Sequence, residues 1–407
     1  MSVIIKSHVL RLFGLICLFA CFPITIDLPK EKFENRIYSS FNTLPLFSEG
    51  WSLAFSRVER NNNGIYVYSY NGTFIDISDS SEKTSSLSSL SWSPDGKQIA
   101  YMRGTAGLNH NEIKISNTNG TRIAKLANGS DPSWSPDGKD LLFIRNDDIY
   151  VLNLGTQKVA PILISKDLIE STPEWSPNGE YIAYVGKENN RDGNLYVMKT
   201  DGTNSQLVKM EESVDIYSGI SWSPDSKKIA FISHKPCGDV YVIDLITNQA
   251  TNLTKTIGDE VSPSWSPDGH SIVFSGMQPS NKCPKPDDPL LGISYRIFSI
   301  NDDGSDYHEI SIPFNNAWIK SPKWSPAIGL QQSHTYSITL FGDNLHLREA
   351  PSIDSKIIET LRIGTLLTPQ NGPQMNNGYR WWKVKINSSG IEGWVVDEPG
   401  YYRPVEK

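Results

Sequence analysis

Four acidic residues each stand a few positions before a tryptophan: Asp131 before Trp134, Glu170 before Trp175, Asp215 before Trp222 and Glu260 before Trp265. Carboxylates that recur ahead of one marker residue are brought to similar heights by a repeat architecture. A ring of them would hold a cation or a basic peptide by charge. The offsets are irregular, however, and a solvated acidic rim fits them as well. Other chemistry is sparse. The seven histidines are scattered, and there is no HExxH, GxSxG, Walker loop or CxxC. No catalytic constellation, metal or cofactor is implied, and the expectation is a non-enzyme.

What positions these residues is an internal repeat. SWSPDGKQIAY (91–101) recurs as SWSPDGKDLLF (133–143), EWSPNGEYIAY (174–184), SWSPDSKKIAF (221–231) and SWSPDGHSIVF (264–274), with a degenerate KWSPAIG at 323–329. The marker tryptophans are Trp92, Trp134, Trp175, Trp222, Trp265 and Trp324. All but the last step are close to the period of a propeller blade, roughly 40–45 residues. Pro and Gly in Ser-Pro-Asp-Gly suit a tight hairpin turn, and that turn accounts for the repeated Asp without a metal. The run after each turn is apolar on both faces, as a strand between two neighbouring blades must be.

A second run recurs further along, as IYVYS (65–69), EIKIS (112–116), DIYVLN (148–153), NLYVMK (194–199), DVYVID (239–244) and RIFSIN (296–301). Each unit therefore reads as strand A ending in Trp, then B, C and D. The first unit lacks a Trp-Ser-Pro, and the last Trp-Ser-Pro, at Trp324, lacks B, C and D. The segment around Trp324 is expected to supply strand A to the first blade, which removes the open edges. Trp318 falls in the loop before that closing segment. The fold class is all-β: a six-bladed propeller over 44–328, then a small C-terminal β-barrel.

In that frame Cys237, which follows Trp222, and Cys283, which follows Trp265, fall in B–C loops of adjacent blades. They are either a disulfide or two free thiols.

These copies resemble the TolB-like propeller repeat, whose signature is W-S-P-D-G-K-x-I-A-[FY]. The resemblance covers the propeller span, 44–328, and not the α/β domain that precedes the propeller in a full-length TolB. It implies a recognition face formed by the D–A and B–C loops. After a linker at 329–335, residues 336–407 carry N-L-x-L-R-x-x-P-S, I-x-x-L-x-x-G-T, W-W-K-V and G-W-V, and are similar to bacterial Src-homology-3-type domains. Asn344, Leu345, Arg348, Pro351, Gly364, Trp382, Gly393 and Trp394 carry that pattern. It implies an extracellular binding module, with Trp382 and Trp394 in its core and Tyr379 and Trp381 as exposed ligand contacts.

Residues 1–30 hold a basic start (Lys6, Arg11) and an uncharged run from Leu12 to Ile26, the form of a signal peptide or anchor, followed by a linker at 31–43. Leu18-Phe19-Ala20-Cys21 resembles a lipobox, so lipidation at Cys21 stands beside cleavage and an uncleaved anchor. The chain has 38 Lys+Arg against 45 Asp+Glu, with no basic block. Nucleic acid is therefore excluded as a partner, and one apolar run excludes a multi-span membrane protein. The expectation is an exported, periplasmic, cell-surface or extracellular protein that binds a protein, peptide or glycan of the envelope, including peptidoglycan. A hydrolase or lyase with its site in the propeller channel is the alternative.

Overall fold

The structure, a computed structural model, describes residues 51–404 apart from 60–61, 70–71, 105–110, 122, 189–192, 212, 216–217, 234–237, 256–258, 278–294, 313, 315–316, 327–335, 339–343, 377–378 and 397–401. Cys21, Cys237, Cys283 and the segments 1–30 and 31–43 lie outside the described residues.

Six four-stranded antiparallel sheets follow one another along the chain. The second blade shows the pattern: strand A is Ser86–Trp92, B is Gln98–Gly104, C is Glu112–Asn117 and D is Ile123–Asn128. The first blade is the exception. Its strand A is Trp318–Trp324, paired antiparallel with Ser52–Val58 so that Trp324 lies opposite Leu53. The closure expected of the last Trp-Ser-Pro is therefore present. Trp318 begins that strand and does not sit in the loop before it.

The A–B turns explain the repeated Ser-Pro-Asp-Gly. The Ser93 hydroxyl donates to Asp95 Oδ1 at 2.6 Å and accepts from the Gln98 N–H at 2.9 Å. The same knot recurs at Ser135, Ser176, Ser223 and Ser266, with Asn178 in place of Asp in the fourth blade. The repeated acid is held by its own turn.

Each sheet is buried on both faces. Tyr101 and Ile99 pack with Ala54, Ile65 and Val67 of the first blade, whereas Ala100 between them packs with Leu141 and Phe143 of the third. Six apolar clusters lie between successive blades, and the cluster that joins the sixth to the first contains Val273, Ile297, Ile319, Trp324, Leu53 and Phe55.

The C-terminal strands form one seven-stranded antiparallel sheet. Its strand order runs Ile357–Leu361, Leu345–Arg348, Glu392–Val396, Tyr379–Ile386, Leu366–Asn376, Tyr336–Ile338 and Tyr402–Pro404. Tyr336, Ile338, Leu347, Leu361, Leu367, Trp382, Val384, Ile386 and Val395 form its core. Among the described residues no helix is long and apolar enough to cross a membrane.

Trp324 is buried and meets Trp51 edge-on at 5.6 Å between ring centroids. Trp324→Ala empties the seam at which the ring closes and is expected to cost roughly 3–5 kcal/mol. A denaturation midpoint that moves no more than for an exposed substitution would show that closure does not depend on this ring.

Candidate functional site

Strand A of each blade faces the propeller axis, and each carries the same local device. Ladder registers shift between Ser88 and Ser91, Ser130 and Ser133, Ser171 and Glu174, and Val261 and Ser264. The residue three before each tryptophan is left-handed: Ser89, Asp131, Thr172, Gly219, Ser262 and Ser321 have φ of 51°, 50°, 46°, 77°, 57° and 52°. Five of these six are not glycine, which costs about 1–2 kcal/mol at each. A left-handed residue that recurs in every blade is a designed bulge, one that bends the inner strand around the axis.

These bulges line a central cavity of about 140 Å³. Its wall includes Ser89, Asp131, Thr172, Glu174, Ser262 and Lys323. Asp131, one of the four expected acids, does reach the axis. Its carboxylate accepts from the Ser89 hydroxyl at 2.7 Å and from Ser130 at 3.1 Å. Burial raises its pKa, while Ser89, Ser130 and the Thr172 backbone oppose the rise.

The residue just before each tryptophan joins neighbouring blades. Ser91 Oγ accepts the Trp134 N–H, Ser133 Oγ that of Trp175, Ser221 Oγ that of Trp265 and Ser264 Oγ that of Trp324, at 3.0–3.2 Å. The fourth blade has Glu174 at this position, and its Oε2 accepts from the Trp222 N–H at 3.2 Å. The first blade has Lys323, which has no side-chain oxygen. There the join is the Trp92 indole N–H donating to the Lys323 carbonyl at 3.0 Å, a bond that the Trp222 indole also makes to the Glu174 carbonyl at 3.1 Å.

Glu174 and Lys323 stand on opposite blades, and Lys323 Nζ reaches Glu174 Oε1 at 2.7 Å. An ion pair therefore crosses the channel. The pair was legible in principle: EWSP and KWSP are the copies that depart from SWSP, and they are three blades apart. Both stand directly before the tryptophan, not set back from it like the four acids.

The other three acids do not converge on the axis. The bulge adds one residue, so a side chain beyond it turns toward the preceding blade. Glu170 is buried there, and its backbone N–H donates to the Asp147 carbonyl at 3.0 Å. Neither carboxylate oxygen has a hydrogen-bond partner among the described residues. Burial, with Asp148 and then Asp147 adding repulsion, raises its pKa to about 7. Glu82 shows the satisfied alternative: it is buried with Lys114 at 2.6 Å and the Tyr101 hydroxyl at 3.0 Å. Glu260 is buried at the position corresponding to Glu170, and Asp215 is half-buried on the rim. A single acidic ring is therefore not what the four residues form.

In the C-terminal sheet Trp381, expected at the surface, is fully buried. Adjacent strand residues point to opposite faces, and Trp381 and Trp382 are both buried, so both faces of the strand are covered there. Trp394, expected in the core, is half-buried. Of Tyr379 only the backbone is described, in the strand Tyr379–Ile386.

A family model described as the TolB beta propeller domain matches residues 149–327. Over that span the repeat is similar to the TolB propeller. Among solved structures, TolB from Acinetobacter baumannii is 20% identical with a TM-score of 0.54, over 68% of this chain and 66% of that one. This chain thus spans slightly under two thirds of that TolB. A nidogen/laminin complex is 9% identical with a TM-score of 0.52, over 68% of this chain and 98% of that one. At these identities the likeness is one of fold. No curated protein matches the sequence.

Two outcomes follow from this geometry. A carboxyl whose folded pKa lies above its usual 4.5 withdraws stability as the pH rises toward about 7. Glu170→Gln is therefore expected to melt like the parent at pH 5 and to be more stable at pH 8, by on the order of 3 kcal/mol. Equal melting curves at both pH values would mean that Glu170 is not held as a buried carboxyl. Lys323→Met leaves Glu174 without its partner and is expected to cost about 1.5–3 kcal/mol. A double-mutant cycle with Glu174→Gln should recover most of that loss, and simple additivity would show that the pair contributes nothing.

Proposed function

We propose that this chain is a non-catalytic, exported binding protein of the cell envelope. In this reading residues 1–30 are a signal peptide or an anchor, lipidated through Cys21 in one form. The rim of the propeller over 44–328 recognises a protein or glycan. Residues 336–407, similar to a bacterial Src-homology-3-type domain, bind cell wall or peptide.

The observation that carries the reading is the state of the channel. Both carboxylates on its wall are already held, Glu174 by Lys323 and Asp131 by two serine hydroxyls. A general acid, a nucleophile or a metal ligand needs a carboxylate that is free to meet the substrate. The remaining polar lining is largely serine and threonine. This favours a binding protein over a hydrolase or lyase in the channel. The likeness to TolB supports the propeller as scaffold.

Sedimentation with purified peptidoglycan tests the proposal. The exported full-length protein is expected to pellet with the wall, and a variant ending before residue 336 to lose most of that binding. Unchanged binding by the shortened variant would overturn the tethering role. Release of soluble wall fragments by the intact protein would favour the enzyme instead.

A further inference from the structure

The tryptophans of this chain are almost all architecture. Trp318 is the exception, the one exposed tryptophan among the described residues, at 46%. It opens strand A of the first blade, on the rim where the D–A and B–C connections lie. Its surroundings are organised. Tyr295, just before strand C of the sixth blade, meets it edge-on with centroids 6.2 Å apart and planes at 62°. Lys320 Nζ lies 5.2 Å from the Trp318 ring and 4.6 Å from the Tyr295 ring. The Tyr295 hydroxyl donates to Asp259 Oδ2 at 2.6 Å. The Tyr295 carbonyl accepts from the Ile319 N–H at 3.0 Å, which ties the tyrosine to the tryptophan's own strand.

We propose that Trp318, Lys320, Tyr295 and Asp259 form a subsite for a neutral saccharide on the propeller rim. The exposed indole offers a flat apolar surface, and here the ring is braced by a cation and a second aromatic ring. The Lys320 ammonium has no hydrogen bond or ion pair among the described residues and is held by the two π faces. Burial lowers the pKa of this ammonium, and Asp259 opposes the fall. The cluster therefore matches the two sides of a pyranose. The apolar C–H face of the sugar stacks on the open face of the indole. Hydroxyls on the rim of the sugar, projecting past the edge of the indole, accept from Lys320 and donate to Asp259.

Charge selects among sugars. One carboxylate, Asp259, acts on the Lys320 ammonium, so the two charges of the cluster balance. A uronic or sialic acid would add an unbalanced negative charge beside Asp259, so the neutral ring is favoured. The subsite rests on the reading of the rim as a recognition face and gives that face a ligand class.

Ligand-observed magnetic resonance on the full chain tests it, with cellotetraose and the β-linked N-acetylglucosamine tetramer as neutral probes and a galacturonate tetramer as the acidic one. At least one neutral probe is expected to bind. Trp318→Ala and Lys320→Met should each weaken it at least tenfold while the melting temperature stays unchanged. If no probe binds, if only the acidic probe binds, or if Trp318→Ala binds like the parent, the subsite is refuted. Should Trp318→Ala prove unstable, Trp318→Phe, which keeps an aromatic face, is expected to retain more binding than Trp318→Leu. Equal binding by those two refutes the proposal as well. Peptidoglycan sedimentation of Trp318→Ala separates the two ideas: wild-type pelleting with no oligosaccharide binding leaves the envelope role standing and removes the subsite alone.

Discussion

Each blade of this propeller is apolar on both faces, so every blade requires two neighbours and the array is satisfied only when the sixth meets the first. A linear stack would leave one face of a terminal blade in water. It would also leave the unpaired edge of Ser52–Val58 open to other chains. The pairing of Trp318–Trp324 with Ser52–Val58 removes both liabilities at once. Ser52 and Ser325, from opposite ends of the propeller sequence, must therefore meet before the core is complete. That contact is among the most non-local in the chain, and topologies of this kind fold slowly. The local Ser-Pro-Asp-Gly knots, each closed between near neighbours in sequence, offset part of that difficulty by setting each A–B hairpin early.

Closure also explains the channel. Six inner strands can surround one axis only if each bends, and the left-handed residue three before every tryptophan supplies the bend. Once the strands converge, the side chain next to each tryptophan has a neighbour to bond, and Ser is the smallest side chain that can accept its N–H. Glu174 keeps that acceptor and has reach to spare. Lys323 gives it up and keeps only the indole-to-carbonyl bond, which the Glu174 position has as well. Two departures on opposite blades thus become one ion pair spanning the cavity. A partly exposed pair of this kind adds modest stability. Its larger effect is to occupy the axis.

Blade number, blade order and the closing strand were legible because they rest on tryptophan spacing and turn chemistry, both of which are local signals. The acids were not legible for a specific reason. Counting back from a tryptophan to place a side chain assumes an unbroken period of two. The bulge breaks that period, so Asp131 reaches the axis while Glu170 is buried against the preceding blade. No residue type announces the bulge, since Ser, Asp, Thr and Gly all occupy it. Trp381 failed similarly. Two adjacent tryptophans on a strand read as one inside and one outside, and here both sides of the strand are covered.

The two buried glutamates Glu82 and Glu170 separate stability from specialisation. Glu82 sits with Lys114 and Tyr101, and removing it would strand a cation. Glu170 faces two aspartates with no donor to its carboxylate among the described residues, so its position costs the fold whenever the pH favours the charged form. A fold that carries such a residue tolerates a local weakness at the junction of the third and fourth blades. Across the ring, at the junction of the sixth and first, Trp318 stands exposed over a braced lysine. The rigid part of the molecule is its ring of apolar wedges. What varies from blade to blade lies at the ends of the inner strands.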